Sequence, residues 1–420
     1  MQSLKKPILL WSLATLFFAF QFILRLTVGI LREDIIQKFA IDTIAFGTLA
    51  GYYYLGYAGM LIPIGILLDK FNFRVITFLS ILVATIGTLT FALATDWHYL
   101  LLGRFLTGAG SAVGFLSIVK ITKTYFPASR HSLIIGLSFT FGLTGAVFGV
   151  TPMKMLFNHF GYNATFYCLA LTGFIIGLLI LTMNTNSENE DHLQVQEKSP
   201  GFKDITRLLL NPQILIIGIS GGLMVGSLEG FTDVWAIPYF KDIYKMSEIE
   251  SNFITSCVYI GMCFGGPVLA LLADFFKSIN FMIFLAGILM IIIFLILFYV
   301  PDLSFIFCVS LMFLLGIVCC YQVLMFTLTT NIVDKAHAGL AVAIVNCINM
   351  SFGHFFHKVM SIAIEYSWDG TLSLDNIPVY TKENYIEANA IVPICCLIGI
   401  FGFYVLSKQL KKRKHQALSS

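Results

Sequence analysis

Twelve apolar runs, each long enough to cross a bilayer, constrain this chain more than any other feature. A membrane-crossing helix needs about 20 predominantly apolar residues. Such runs fall at about 8–31, 45–68, 75–95, 98–122, 132–156, 164–183, 213–239, 252–273, 281–300, 304–330, 338–365 and 388–407. Composition agrees with them. Hydrophobic residues make up 58% of the chain and charged residues 12%, about half the ~25% charge of a soluble domain, and mean hydropathy is +0.86. A soluble core of 420 residues could not hide that much apolar surface, whereas lipid can. The 34 Gly fit the same reading, since Gly is more frequent in membrane helices than in soluble ones. The expected fold is an all-α membrane protein of twelve transmembrane helices.

The formal net charge of +3 carries no nucleic-acid signal, and no nucleic-acid partner is expected. The placement of the charges is more informative, because Lys and Arg collect in cytoplasmic loops. With the N-terminus inside, sixteen Lys and Arg fall in inside loops, among them Lys5, Lys6, Lys70, Arg74, Lys123, Arg130, Lys277 and the run Lys411 to Lys414. Six fall outside: Arg32, Lys38, Lys154, Lys241, Lys245 and Lys382. Both termini are therefore expected in the cytoplasm. Lys5-Lys6 followed by Ile8–Leu24 looks like a signal peptide, but no small-residue cleavage site follows, and the segment reads as a retained first span. All nine Cys lie inside apolar runs, their number is odd and CxxC spacing is absent. They read as packing residues, with neither a disulfide framework nor a metal site.

The longest polar stretch, Asn184 to Pro212, sits near the middle and reads as a cytoplasmic linker. It divides the chain into a six-helix half at 1–183, the linker at 184–212, a second half at 213–407 and a basic tail at 408–420. The outside segment 366–387 reads as a connector, with a lid as the alternative. The halves echo each other. Tyr54, Gly56, Leu67, Asp69 and Phe71 return 205 residues later as Tyr259, Gly261, Leu272, Asp274 and Phe276. Repeats of this kind build many secondary transporters, with substrate bound between the halves near mid-membrane.

The turn after the second run reads Gly65-Ile-Leu-Leu-Asp69-Lys70-Phe-Asn72-Phe-Arg74. It resembles the G-x-x-x-D-[RK]-x-G-x-[RK] signature of the major facilitator superfamily. Asn72 stands for the usual Gly, a change that a left-handed backbone at Asn would tolerate. The fourth run carries Gly103-Arg104-Phe-Leu-Thr-Gly108-Ala-Gly110-Ser-Ala112, similar to the family's R-x-x-x-G-x-G-x-A pattern, and Gly161 to Phe166 resembles its entry to the sixth helix. The resemblance implies two halves that rock about a central site. Gly65, Asp69, Lys70 and Arg74, with the degenerate copy Asp274 and Lys277, would then form a cytoplasmic gate. Its Asp would face a helix dipole and the bases of its own loop. Tyr52 to Tyr57, Met60 to Gly65, Val119-Lys120 and Asp233 to Tyr239 resemble the phagosomal amino-acid transporter group of intracellular bacteria. That resemblance implies uptake of amino acids. Phe356-His357-Lys358 departs from it, where relatives tend to carry an uncharged Gln-Pro stretch.

An ionisable residue in mid-span costs at least about 2.5–3.5 kcal/mol, so Arg25, Arg104, Lys120, Glu229, Asp233 and Lys358 are functional candidates. Counted along their runs at ~1.5 Å per residue, Arg25, Arg104, Glu229, Asp233 and Lys358 lie within about 6 Å of one height. Two acids spaced i, i+4 then face several bases across the expected cavity, a pattern suited to a zwitterion. Arg25 is assigned the substrate carboxylate, Asp233 its amine and Glu229 the coupling proton, with Arg104 in a structural or proton-linked role. Lys358, Asn346, Asn349, Tyr53 and Trp235 complete the substrate-binding candidates. The alternative is that these charges pair only with each other and the polar and aromatic groups only pack. Lys120 lies close enough to the inside end to snorkel. His354 and His357 have the spacing of metal ligands but lack convincing further ones, so no metal is assigned.

The leading expectation is thus a monomeric transporter in the bacterial inner membrane. It would take up an amino acid or similar small zwitterion by alternating access, driven by a proton gradient and without a cofactor. A drug or siderophore exporter, or a dipeptide or nucleoside carrier, remains open. An enzyme would need clustered ligands or a nucleophile near a membrane face, and ATP-driven transport a P-loop; the sequence offers neither.

Overall fold

The computed structural model describes residues 5–183, 201–334, 337–372 and 378–419. Among these residues eleven helices are long and apolar enough to cross a membrane, and a twelfth span consists of two helices bent by 44°. Chain contacts divide into two compact units, Met1–Pro200 and Gly201–Ser420. Most of the expected linker lies outside the described residues.

In the first unit the spans are Lys5–Ile30, Thr43–Lys70, Phe73–Ala92, Trp97–Tyr125, the bent pair Leu133–Phe148 and Thr151–Phe160, and Tyr162–Thr182. They are called spans 1 to 6. The bent pair replaces the single helix expected at 132–156. Its break falls at Gly149-Val150, and Pro152 stands in the first turn of the second piece. Proline has no N–H to donate and fits readily in the first turn of a helix, where that N–H has no partner in the helix.

In the second unit spans 7 to 12 are Pro212–Ile243, Glu248–Phe275, Ile279–Tyr299, Phe305–Asn331, Ala338–Tyr366 and Lys382–Lys412. Span 7 is not regular. Its residues Phe231–Trp235 form a π-helical turn, a local widening that often marks a functional position. An eight-residue helix, Phe202–Leu209, precedes it.

Polar residues at the span ends act as caps. The side chain of Asp42 accepts from Ala45 N at 2.6 Å, and that of Asp96 from His98 N at 2.8 Å. Ser247 and Glu250 form a reciprocal capping box at the start of span 8. Each cap satisfies backbone donors that the first helical turn leaves without partners.

The halves pack by the same device. A Cβ on Gly108 of span 4 would lie 1.9 Å from the Tyr53 carbonyl oxygen of span 2, and one on Gly316 of span 10 would lie 1.9 Å from the Val258 oxygen of span 8. Gly56 and Gly261, the repeat partners, press back on the Phe105 and Phe313 oxygens at 2.1 and 2.0 Å by the same measure. Without a hydrophobic drive between helices in lipid, close backbone approach through small residues is what holds spans together.

Gly108→Ala should therefore cost at least the ~1–3 kcal/mol typical of overpacking. Gly136→Ala, whose added Cβ would meet nothing within 4 Å, should be neutral. Thermal unfolding of the two variants in detergent checks this, and equal melting temperatures would refute the contact.

Candidate functional site

In the first unit the site is built on spans 1, 2 and 4. Arg104 is buried, with 3% of its surface exposed. Its guanidinium donates to the carbonyls of Leu24 at 3.0 Å and Arg25 at 3.2 Å on span 1, and to Ala50 at 3.5 Å on span 2. Its Cζ also lies 4.9 Å from the centre of the Tyr53 ring. This residue is a bracket between helices. Tyr53 is buried as well, and its hydroxyl donates to Gln21 Oε1 at 2.5 Å.

Arg25 is placed differently. It is half-buried, with its Cζ 4.9 Å from the Tyr54 ring centre and 5.5 Å from that of Phe22. Aromatic faces favour a cation by about 0.5–2 kcal/mol.

The gate signature is held by neighbours rather than by its own loop. Asp69 receives Lys120 Nζ from span 4 at 2.9 Å, with 45% and 25% of the two side chains exposed. A pair this exposed contributes about 0–1 kcal/mol. Arg74 donates to the Met183 carbonyl at the end of span 6, where a cation meets the negative end of the helix dipole. Asn72 does not take the left-handed backbone expected of it. Its φ is −57°, and its side chain caps span 3 by accepting from Arg74 N at 3.0 Å. The left-handed angle occurs instead at Lys277 in the second half, with φ 50°. Lys70, Asp274 and Lys277 are exposed, and a Cβ on Gly65 would meet open space.

In the second unit Glu229 and Asp233 are both buried on span 7. Asp233 lies inside the π-turn, and Tyr259 of span 8 donates its hydroxyl to Asp233 Oδ1 at 2.7 Å. Trp235 is fully buried, edge-on to Tyr380 and Tyr385 at 6.2 and 6.4 Å. Those two tyrosines belong to the segment after span 11 and the start of span 12. Their hydroxyls donate to Glu365 at 3.0 Å and Asp242 at 2.8 Å. The described part of segment 366–387 is thus packed on the end of span 7, and Trp235 is a core residue there.

Asn349 is buried and donates to Gln322 Oε1 on span 10 at 3.2 Å, while Asn346 is half-buried. Lys358 is exposed beside Phe355 and Ile362. Span 11 meets span 7 through Phe352, Phe356 and Met360, which crowd Gly226 and Gly230. Lys358, two residues beyond Phe356, points away from that contact and from the two acids. His357 Nδ1 is 2.6 Å from the Gly353 carbonyl of its own helix. Among the described residues no three His, Cys, Asp or Glu side chains could share a metal ion.

A separate cavity of about 330 Å³ lies at the start of span 7 and the turn after span 10, lined in part by Asp204, Arg207, Asn331, Asp334 and His337. His337 Nε2 stands 3.6 Å from Asp204 there. The sequence reading did not single it out, because its residues are ordinary loop polars far apart in the chain.

The sequence reading also gave Tyr54 and Tyr259 no role at the charges. The signal they shared was the 205-residue repeat.

A family model described as the Major Facilitator Superfamily matches residues 10–356. The chain is 23% identical to the probable galactarate/D-glucarate transporter GudP of Bacillus subtilis, over 92% of its own length and 90% of that protein. It is 23% identical to the potential vesicular glutamate transporter vglu-3 of Caenorhabditis elegans, over 55% of this chain but only 46% of that one. Among solved structures it resembles a bacterial homologue of the lysosomal transporter Spinster, with a TM-score of 0.77 at 16% identity over 98% of both chains. It also resembles the nucleoside transporter NupG, with a TM-score of 0.74 at 14% identity over 96% of this chain and 99% of that one. A match over most of the chain, twelve-span helical architecture and charges inside the spans converge: this chain belongs to the Major Facilitator Superfamily and is a multi-pass membrane transporter, not an enzyme.

Proposed function

We propose that this transporter takes up an amino acid or similar small zwitterion together with protons. The observation that carries the reading is Arg25, a half-buried guanidinium set against aromatic faces inside a span. It supplies the carboxylate-binding group, since Arg and carboxylate meet through two parallel hydrogen bonds. Asp233, oriented by Tyr259, supplies the group for an ammonium. Glu229, buried one turn away on the same span, is the proton carrier. The resemblance to the phagosomal amino-acid transporter group supports the substrate class. On this reading the protein works as a monomer among lipids of the bacterial inner membrane, with both termini in the cytoplasm, Asp69 and Lys120 in the cytoplasmic gate, and the proton gradient as its energy source.

A second reading takes an organic diacid as substrate. It is favoured by relatives named for glucarate, glutamate and tartrate. The two readings share Arg25 and differ at Asp233.

Arg25→Ala should abolish uptake under both. Asp233→Asn should weaken binding of an amine-bearing solute about 10- to 150-fold, the scale of a hydrogen bond to a charged group, and leave a diacid unaffected. A thermal-shift screen of the purified protein against the twenty common L-amino acids, short peptides, nucleosides, glucarate and tartrate, followed by uptake in liposomes, decides between them. Unchanged uptake in both variants would overturn the assignment of Arg25 and Asp233.

Glu229→Gln should abolish accumulation driven by a pH gradient while keeping counterflow exchange of the same solute. Normal gradient-driven accumulation in that variant would remove Glu229 from the coupling.

A further inference from the structure

We infer that Tyr54 and Tyr259 are a matched pair of positioning residues, one in each half, that orient the cation Arg25 and the anion Asp233 and so set the charge pattern the transporter accepts. The inference rests on the proposed function for its substrate, but the contacts stand without it.

Tyr54 and Tyr259 are 205 residues apart, at equivalent places on the second span of their own halves. Both are buried, with 1% and 2% of their surfaces exposed. Each reaches across to the first span of its half and meets an ionisable residue inside it. Tyr54 presents its ring face, 4.9 Å from the Arg25 Cζ. Tyr259 presents its hydroxyl, 2.7 Å from Asp233 Oδ1. The flanking glycines belong to the same repeat, Gly56 and Gly261, and both press on a backbone oxygen of the neighbouring span. The two tyrosines therefore stand on rigid contacts of one design.

Tyrosine suits both jobs. Its ring face is negative and attracts a guanidinium, while its hydroxyl is a donor that a carboxylate accepts. The repeat thus keeps Tyr on the second span, while the charge it meets stands at a different register of the first span: Gly230 occupies the repeat position of Arg25, and Val28 that of Asp233. Phe would serve Arg25 but not Asp233. The Tyr54 ring face, 4.9 Å from the Arg25 Cζ, limits where the guanidinium can turn. A hydroxyl on Oδ1 commits one of the two carboxylate oxygens to Tyr259 and fixes which way the other is turned. The neighbouring Tyr53 holds Arg104 in the same manner at 4.9 Å, but Val258 stands at its repeat position, so that contact belongs to the first half alone.

The experiment uses the full-length protein in detergent and two reagents that need no substrate. Phenylglyoxal reads Arg25 and dicyclohexylcarbodiimide reads Asp233, each by peptide mass spectrometry. Tyr54→Leu should raise the labelling rate at Arg25 about threefold or more, the scale of a cation–π contact, and Tyr54→Phe should restore protection. Tyr259→Phe should raise labelling at Asp233 about tenfold, the scale of a hydrogen bond to a charged group. Each change should leave the other half's site at its original rate. Equal labelling in Tyr54→Leu and Tyr54→Phe, no change at Asp233 in Tyr259→Phe, or a rise at both sites in either variant would overturn the pairing. In liposomes, Tyr259→Phe should raise the KM for the amino acid taken up and leave kcat within about twofold, the pattern of a lost uniform binding contribution. If labelling follows the expected pattern while no amino acid is taken up, the pairing holds and the proposed substrate fails.

Discussion

A charge placed among apolar helices must be held by its neighbours, and in the first half of this protein Arg104 is where that requirement is met. Its guanidinium draws carbonyls of spans 1 and 2 to one point on span 4, and the Tyr53 ring lies against it. In hydrocarbon no water can replace these partners. Spans 1, 2 and 4 are therefore tied together at this height, with Gly56 and Gly108 allowing the backbones to approach. Arg25, one of the residues whose carbonyl is taken, is presented by that arrangement rather than by its own helix. Two arginines on neighbouring spans thus have different settings: Arg104 holds helices together, and Arg25 stands against the rings of Tyr54 and Phe22.

The second half repeats the scaffold and reverses the charge. Gly261 and Gly316 make the same close approach between spans 8 and 10, but the ionisable residues on span 7 are acids. The π-turn at Phe231–Trp235 sets Asp233 against Tyr259 and seats Trp235 among Tyr380 and Tyr385. A widened turn is locally less favourable than regular helix, and the hydrogen bond to Asp233 and the aromatic contacts beyond it offset that. The same few residues thus anchor the segment that follows span 11 and position a candidate binding group.

Much of this was legible in the sequence because lipid imposes a simple rule. Every backbone polar group must be satisfied within the segment, so apolar length alone reveals each span, and only the bent fifth one departed, at Gly149 and Pro152. The charges inside spans were equally plain, since their cost makes them rare. Their partners were not. Asn72 was expected to take a left-handed angle and instead caps span 3. Lys120 was read as a functional candidate close enough to the inside end to snorkel, and its amine ends on Asp69. Lys358 sits at the right height but on a face of span 11 turned from the acids of span 7. Height follows from counting residues along a helix. Facing depends on which neighbour each stripe packs against.

The sequence by itself determined the membrane class, the span count, the two-half repeat and the short roster of charges from which a transport site must be drawn. These follow from local quantities: hydropathy, chain length and spacing. Only the tertiary structure decided which of those charges is a bracket, which is held by a tyrosine and which stands apart. Those distinctions rest on contacts between helices far apart in the chain, such as Arg104 with Leu24 or Tyr259 with Asp233. The physical reason is that a side chain's role in a low-dielectric bundle is set by the group that compensates it, and no local pattern names that group.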